Sequence, residues 1–184
     1  MQKHVLSVLG CLATLVPISA GELKSGLPVG DYPGPFNVAD ITGPAAGLEL
    51  CYRCRYGNQP VVSVFARKLD ANAIKLIREI DSTIGKNRDS RMAGFVVLLT
   101  DKPHDEQDQL RKLAAEHKIR HMPLTVYHNT KGPARYRINE KATTTVLMWV
   151  ESDVKANHAV SDNGKDLTKD KITSIVQDTR KILE

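Results

Sequence analysis

The chain has 184 residues and a formal charge of +5 at pH 7, with 26 lysines and arginines against 21 aspartates and glutamates. This length suits one domain with its own core. The basic residues are scattered and lack interleaved aromatic residues, which argues against nucleic-acid binding. After the first apolar segment, no apolar run approaches the length of a transmembrane helix, so we expect no membrane association of the mature chain.

The amino terminus has the pattern of a secretory signal peptide. A basic residue precedes an apolar run at 5–18, and the small residues Ser19 and Ala20 come before the expected cleavage point. We therefore predict that 1–20 is a signal peptide and that 21–184 is one mature domain, located in the periplasm or secreted.

Three cysteines are present, and their positions bear on export. Cys11 lies in the predicted signal peptide, so Cys51 and Cys54 are the pair that remains. An oxidising compartment allows such a pair to form a disulfide. Residues 8–11 are similar to a lipoprotein cleavage box, but apolar residues continue beyond them, which disfavours a lipid anchor.

The first part of the mature chain predicts short strands. Residues 21–47 are rich in glycine and proline and contain one alternating stretch at 36–41, which predicts a lead-in with one strand. Residues 48–56 follow and end at the turn signal 57–60. We interpret 48–56 as a hairpin arm that carries both cysteines.

Three apolar runs predict buried strands at 60–66, 94–100 and 124–127. Between the first two runs, Asp70 can cap a helix that Gly85 ends, and isoleucines recur along it at helical spacing: Ile74, Ile77, Ile80 and Ile84. A second helix precedes the third run, with inward-facing Leu110, Leu113 and Ala114. Such units require parallel, right-handed crossovers, which predicts a βαβαβ core.

The last part of the chain completes an α/β fold. Residues 134–138 and 144–150 predict antiparallel strands, and apolar residues from Ile172 onward predict a terminal helix capped by Thr168. The sequence therefore predicts a central mixed sheet flanked by helices.

Residues 119–127, Ile-Arg-His-Met-Pro-Leu-Thr-Val-Tyr, resemble the helix exit, substrate-facing loop and next strand of the thioredoxin superfamily, in its redoxin branch of peroxiredoxins and periplasmic disulfide reductases. The lead-in at 26–43 is similar to the redoxin amino-terminal hairpin. The resemblance implies a thioredoxin-like three-layer fold with an N-terminal β-hairpin extension. It also implies that Pro123 is a cis proline and that Met122 presents its backbone to a bound peptide.

The sequence departs from this family at the reactive position. The resemblance implies Cys-x-x-Cys at the start of the helix after the central strand, where helix amide groups lower the pKa of the first cysteine. This chain has Leu-Asp-Ala-Asn at 69–72 instead. No cysteine follows Cys54, so a peroxiredoxin nucleophile is missing as well. The usual chemistry of the family is therefore absent from its usual position.

Cys51 and Cys54 have the spacing of a redox dithiol, and Arg53 and Arg55 beside them would favour the thiolate. This predicts thiol-disulfide exchange with protein thiols or disulfides. The pair equally fits a structural disulfide in a non-catalytic binding or scaffold module that receives a peptide segment of another exported protein. The sequence leaves both functions open.

A metal site is a third interpretation of the two cysteines. Two thiolates supply half of a tetrahedral ligand set, and histidines would have to complete it, the candidates being His117, His121 and His128. Haem attachment requires a histidine directly after the second cysteine, where this chain has Arg55. We therefore expect neither a metal nor another cofactor.

Overall fold

The computed structural model describes residues 23–161 and 166–184, so the predicted signal peptide lies outside the described residues. The described strands are β1 (Val38–Asp40), β2 (Glu49–Leu50), β3 (Val61–Ala66), β4 (Ala93–Leu99), β5 (Leu124–Tyr127), β6 (Thr144–Val150) and β7 (Asp153–Val160). The helices are α1 (Tyr52–Tyr56), α2 (Ala71–Lys86), α3 (Gln107–His117) and α4 (Lys169–Gln177). Within these residues, no helix combines the length and apolar character needed to cross a membrane.

The strands form one mixed sheet in the order β2-β1-β5-β4-β3-β6-β7. Strands β3, β4 and β5 are parallel to one another, and α2 and α3 connect them, which confirms the predicted βαβαβ core. Strands β6 and β7 extend the sheet in antiparallel fashion beside β3. Strands β1 and β2 form an antiparallel pair beside β5, which confirms the predicted N-terminal hairpin extension.

Helix α2 begins as the sequence predicts. The Asp70 carboxylate accepts hydrogen bonds from the backbone N–H groups of Asn72 at 3.1 Å and Ala73 at 2.9 Å, which satisfies donors that a helix start leaves free. The helix continues one residue past Gly85 to Lys86. Its buried side chains face the sheet and include Leu76, Ile77, Ile80 and Ile84.

The sheet separates two apolar cores. Along β4, Val96 and Leu98 belong to the core covered by α2, α3 and α4, whereas Phe95 and Val97 belong to the opposite core. The second core is rich in aromatic residues and is packed by α1 and the lead-in segment; it contains Tyr52, Phe65, Phe95, Tyr136 and Trp149. Tyr52 belongs to this aromatic core and follows Cys51 directly, so it joins the disulfide turn to the core.

Two local predictions are wrong. The hairpin arm predicted at 48–56 is limited to β2, which ends at Leu50; α1 follows, so the arm does not carry the cysteines. Residues 134–138 do not form a strand: Ala134–Tyr136 is a 3-10 turn, held by the Tyr136 hydroxyl that donates to the Gly34 carbonyl at 2.8 Å. Strand β6 instead pairs in antiparallel fashion with β3 and with β7, and the sequence did not predict β7.

Candidate functional site

Cys51 and Cys54 form a disulfide at the start of α1, and their Cα atoms are 5.2 Å apart. Cys51 caps the helix, and its Sγ accepts a hydrogen bond from the Cys54 N–H at 3.0 Å. Cys51 is half-buried, whereas Cys54 is exposed. The two cysteines therefore occupy one helical turn at the surface.

Aromatic packing explains why this segment is a helix. Tyr52 and Tyr56 lie four residues apart, so a helix places them on the same face. Both rings contact Phe95 in β4, with centroids 5.3 Å and 6.2 Å from it. Gly57 then ends the helix with a φ of 56°, a conformation that glycine adopts without steric cost. A tyrosine pair at this spacing before a glycine is the sequence signal that could have predicted α1.

A buried carboxylate anchors Tyr52. Asp40 in β1 is fully buried, and one of its oxygens accepts hydrogen bonds from the Tyr52 hydroxyl and the Ala45 N–H, each at 2.8 Å. Its other oxygen accepts the Gly43 N–H at 2.7 Å. Burial raises the pKa of the Tyr52 phenol far above its usual value, and the hydrogen bond and negative charge of Asp40 raise it further. Tyr52 therefore remains a donor, and it ties α1 to the sheet.

Arg53, between the two cysteines, anchors the other side of the turn. It is buried, and its guanidinium donates to the Pro33 carbonyl at 2.8 Å, the Tyr32 hydroxyl at 2.9 Å and the Ser152 hydroxyl at 2.6 Å. A longer contact of 3.4 Å reaches the Gly57 carbonyl. These contacts join α1 to the lead-in and to the β6–β7 turn, so Arg53 has a positioning role that the sequence analysis did not predict.

The predicted peptide-binding loop has a different geometry. The bond before Pro123 is trans, as is every peptide bond in the described part of the chain, so the predicted cis proline is wrong. Met122 is buried, and the Pro123 carbonyl accepts the Val96 N–H at 2.8 Å inside the sheet. Pro123 and Tyr56 line a shallow cleft of about 340 Å³, and neither cysteine is among its lining residues.

Asp81 in α2 holds the loop before Pro123. Its Oδ1 accepts three consecutive backbone N–H groups, from Arg120 at 3.0 Å, His121 at 2.6 Å and Met122 at 2.9 Å. Because the Met122 N–H is committed to Asp81, it is not free to pair with a bound peptide. Asp81 thus holds the backbone N–H groups of the loop that connects α3 to β5.

Arg67 lies directly after β3, where the resemblance places the reactive cysteines. Its N–H donates to the Thr143 carbonyl at 3.0 Å, and its guanidinium donates to the carbonyls of Ala142 at 3.0 Å and Asn139 at 3.1 Å. Burial lowers the pKa of Arg67 from its usual value. Together with the Asp70 cap, these contacts tie the β3–α2 junction to the loop before β6 and to the start of α2.

The histidines considered as metal ligands do not form a site with the cysteines. Across residues 23–161 and 166–184, no group of three or more His, Cys, Asp or Glu side chains is placed to hold a metal ion.

Comparison with known proteins identifies the fold. No protein-family model and no curated protein sequence matches the chain. Among solved structures, a candidate protein disulfide isomerase from Bacteroides thetaiotaomicron superposes with a TM-score of 0.65 at 13% identity, covering 88% of this chain and 94% of that one. A candidate thiol:disulfide interchange protein DsbE from Chlorobium tepidum gives 0.65 at 13% identity, covering 86% and 99%. A peroxiredoxin-like protein from Aquifex aeolicus gives 0.56 at 14% identity, covering 87% and 90%.

The chain is therefore an α/β protein with a surface Cys-x-x-Cys disulfide beside a mixed sheet. Its fold is thioredoxin-like, as in these thiol:disulfide interchange and peroxiredoxin-like structures.

Proposed function

We propose that this chain performs thiol-disulfide exchange outside the cytoplasm, with Cys51 and Cys54 as the exchanging pair. One observation carries the proposal: the disulfide lies within a single surface turn and leaves Cys54 exposed. Thiol-disulfide exchange requires a thiolate to reach a disulfide sulfur, and an exposed sulfur meets that requirement.

The position of the disulfide makes it a weak structural clip. A disulfide that closes four residues restricts the unfolded chain by about 2 kcal/mol, compared with about 3 kcal/mol for a loop of about 15 residues. The disulfide lies within the first turn of α1 and does not connect this helix to another element. The side chains of Tyr52 and Arg53 make those connections, to the sheet and to the lead-in. The bond therefore restricts the unfolded chain less than a disulfide that closes a longer loop would.

The reduction potential of Cys51–Cys54 tests the proposal. We expect a value between those of thioredoxin and protein disulfide isomerase, roughly −270 to −180 mV, measured by equilibration with glutathione or dithiothreitol buffers. Insulin reduction should be faster with the wild type than with the Cys51→Ser variant. Equal inactivity of the two proteins would overturn the enzymatic proposal.

A second function has its own supporting observation. Arg67 and Asp70 make internal hydrogen bonds at the junction where catalytic thioredoxins carry their reactive cysteines, which favours a non-catalytic role. Such a module would bind a peptide of another exported protein. In that case Cys51–Cys54 would be structural, and its potential would lie below roughly −300 mV. The same titration therefore separates the two functions.

Export is part of the proposal. The signal-peptide pattern at 1–20 supports it, and so does the disulfide, because disulfides persist in oxidising compartments. One similar structure is that of a secreted disulfide oxidoreductase from Mycobacterium tuberculosis, with a TM-score of 0.53 at 8% identity. Mass spectrometry of the protein from its native host should find a mature chain that begins at Gly21. A cytoplasmic chain that retains 1–20 would contradict export.

A further inference from the structure

The two sulfurs of the disulfide are not equivalent. Cys54 is exposed, whereas Cys51 is half-buried between the end of β2 and the fully buried Tyr52. On the basis of the exchange function proposed above, we propose that Cys54 is the sulfur that forms the mixed disulfide with the partner and that Cys51 is the leaving group. This order is the reverse of the one that the resemblance to catalytic thioredoxins implies, where the first cysteine reacts.

Access favours attack on Cys54. The incoming thiolate must approach a sulfur from the side opposite the bond that breaks, so the attacked sulfur needs open solvent on that side. Cys54 is the more exposed of the two cysteines, which favours approach to its sulfur, and the exposed Arg55 beside it adds a positive charge that attracts a thiolate. The guanidinium of Arg53 is held by the Pro33 carbonyl and other internal acceptors, so Arg55 is the neighbouring arginine open to a partner.

Hydrogen bonding favours Cys51 as the leaving group. The Cys54 N–H lies 3.0 Å from Cys51 Sγ and donates to it. A thiolate accepts such a bond more strongly than a disulfide sulfur does, because the negative charge strengthens it. A stabilised thiolate leaves faster, so the contact directs bond breaking toward release of Cys51.

A partner dithiol reduces the Cys51–Cys54 disulfide in two steps. A partner thiolate bonds to Cys54 Sγ, the Cys51–Cys54 bond breaks, and its electron pair leaves on Cys51. The second partner thiol, after losing its proton, attacks the partner sulfur of the mixed disulfide and releases Cys54 as a thiolate. The partner is oxidised by two electrons, the chain is reduced by two, and the protons of the partner thiols pass to the cysteine thiolates or to water.

The assignment is tested first on the oxidised wild-type protein. Glutathione is added, and the reaction is stopped within its early phase by excess N-ethylmaleimide, which blocks every free thiol. Fragmentation mass spectrometry across Tyr52 and Arg53 then locates the two adducts. We expect glutathione on Cys54 and maleimide on Cys51, in about tenfold excess over the opposite arrangement. Equal amounts, or an excess of the opposite arrangement, would overturn the assignment while leaving exchange itself intact.

Single-cysteine variants provide a second measurement. Cys51→Ser retains a side-chain acceptor for the Cys54 N–H, and Cys54→Ser is its matched control. With glutathione disulfide, Cys51→Ser should form the mixed disulfide about ten times faster than Cys54→Ser when folded, and at a similar rate in urea. The reverse order would contradict the role of Cys54. If both variants and the wild type react only in urea, the exchange function fails together with the assignment.

Discussion

A single hydroxyl links the disulfide turn to the buried carboxylate of β1. We expect Tyr52→Phe to lower the free energy of unfolding by about 1.5 to 3 kcal/mol, because Asp40 loses one of its three donors while it remains fully buried. Urea unfolding followed by circular dichroism measures this change.

Tyr56→Phe is the matched control for that variant. The Tyr56 hydroxyl donates to the neutral Gly94 carbonyl at a longer distance, 3.3 Å, so its loss should cost about 0.5 to 1.5 kcal/mol. If Tyr52→Phe costs no more than Tyr56→Phe, the hydroxyl does not support the Asp40 carboxylate in the way described.

The guanidinium of Arg53 should be irreplaceable by an ammonium group. The planar guanidinium donates to the Pro33 carbonyl and to the hydroxyls of Tyr32 and Ser152, and the single ammonium nitrogen of a lysine cannot reach all three. We therefore expect Arg53→Lys to lower the free energy of unfolding by about 2 kcal/mol or more. Arg55→Lys, at the exposed position two residues on, should change stability by less than about 0.5 kcal/mol. Equal effects of the two substitutions in urea unfolding would show that Arg53 does not anchor α1.

These polar anchors could not be predicted from the sequence. Aspartate and arginine are mostly exposed in proteins, and nothing in the local pattern around Asp40, Arg53 or Asp81 indicates burial. Asp81 and Arg53 take partners from segments distant along the chain, and the Arg53 contacts reach as far as Ser152. The partners of Asp40 are closer, but they meet it only once the following turn and α1 are folded over β1. By contrast, the Asp70 cap depends on local spacing alone, and the sequence predicted it correctly.

Among the elements, α1 shows how a short segment can satisfy two patterns at once. The run from Leu48 to Tyr56 ends at the turn signal 57–60, and the prediction of a hairpin arm depended on that turn signal. The structure instead follows the spacing of four between Tyr52 and Tyr56, because Phe95 offers both rings a surface in the aromatic core. In a segment this short, tertiary packing decides between the two patterns.

The connection between α3 and β5 depends on one side chain of α2. Asp81→Ala leaves three neighbouring backbone N–H groups without their acceptor, and we expect a loss on the order of 3 kcal/mol in unfolding free energy. Hydrogen exchange at Arg120, His121 and Met122 should accelerate in the same variant. Glu79→Ala, an exposed change on the same helix, is the control and should affect neither measurement. Unchanged exchange at these three amides in Asp81→Ala would contradict the anchoring role.

For the whole molecule, the sequence predicted the parallel core well and the reactive geometry poorly. The buried runs of β3, β4 and β5 identify themselves by composition, and crossover chirality then limits how they connect. The prediction for Pro123 depended instead on where the strand after this proline lies in the sheet. That strand, β5, pairs with β4 and β1 and not with β3, whose antiparallel neighbour is β6. Strand order is a property of the assembled sheet, so the resemblance at 119–127 could not determine it.

The aromatic core makes the stability of the whole molecule sensitive to alkaline pH. Burial raises the pKa of Tyr52, Tyr56 and Tyr136 well above the usual value, so in the folded protein these phenols stay protonated where the unfolded chain ionises. Their contribution is fully present below about pH 10 and is lost as the pH rises beyond it, by up to about 1.4 kcal/mol per pH unit for each tyrosine. Urea unfolding at about pH 8 and about pH 11 should show this decline.

The decline should be smaller in Tyr52→Phe, because that variant removes one of the three phenols that ionise on unfolding. Ultraviolet titration of the folded wild type should show at least three of its five tyrosines resisting ionisation until the protein unfolds. Ionisation of all five before any loss of secondary structure would contradict the protonated aromatic core.

Since Tyr52 carries the turn that begins at Cys51, ionisation of its phenol at alkaline pH should also detach α1. Glutathione should then attack both cysteines at similar rates, which connects the stability of the core to the choice between the two sulfurs.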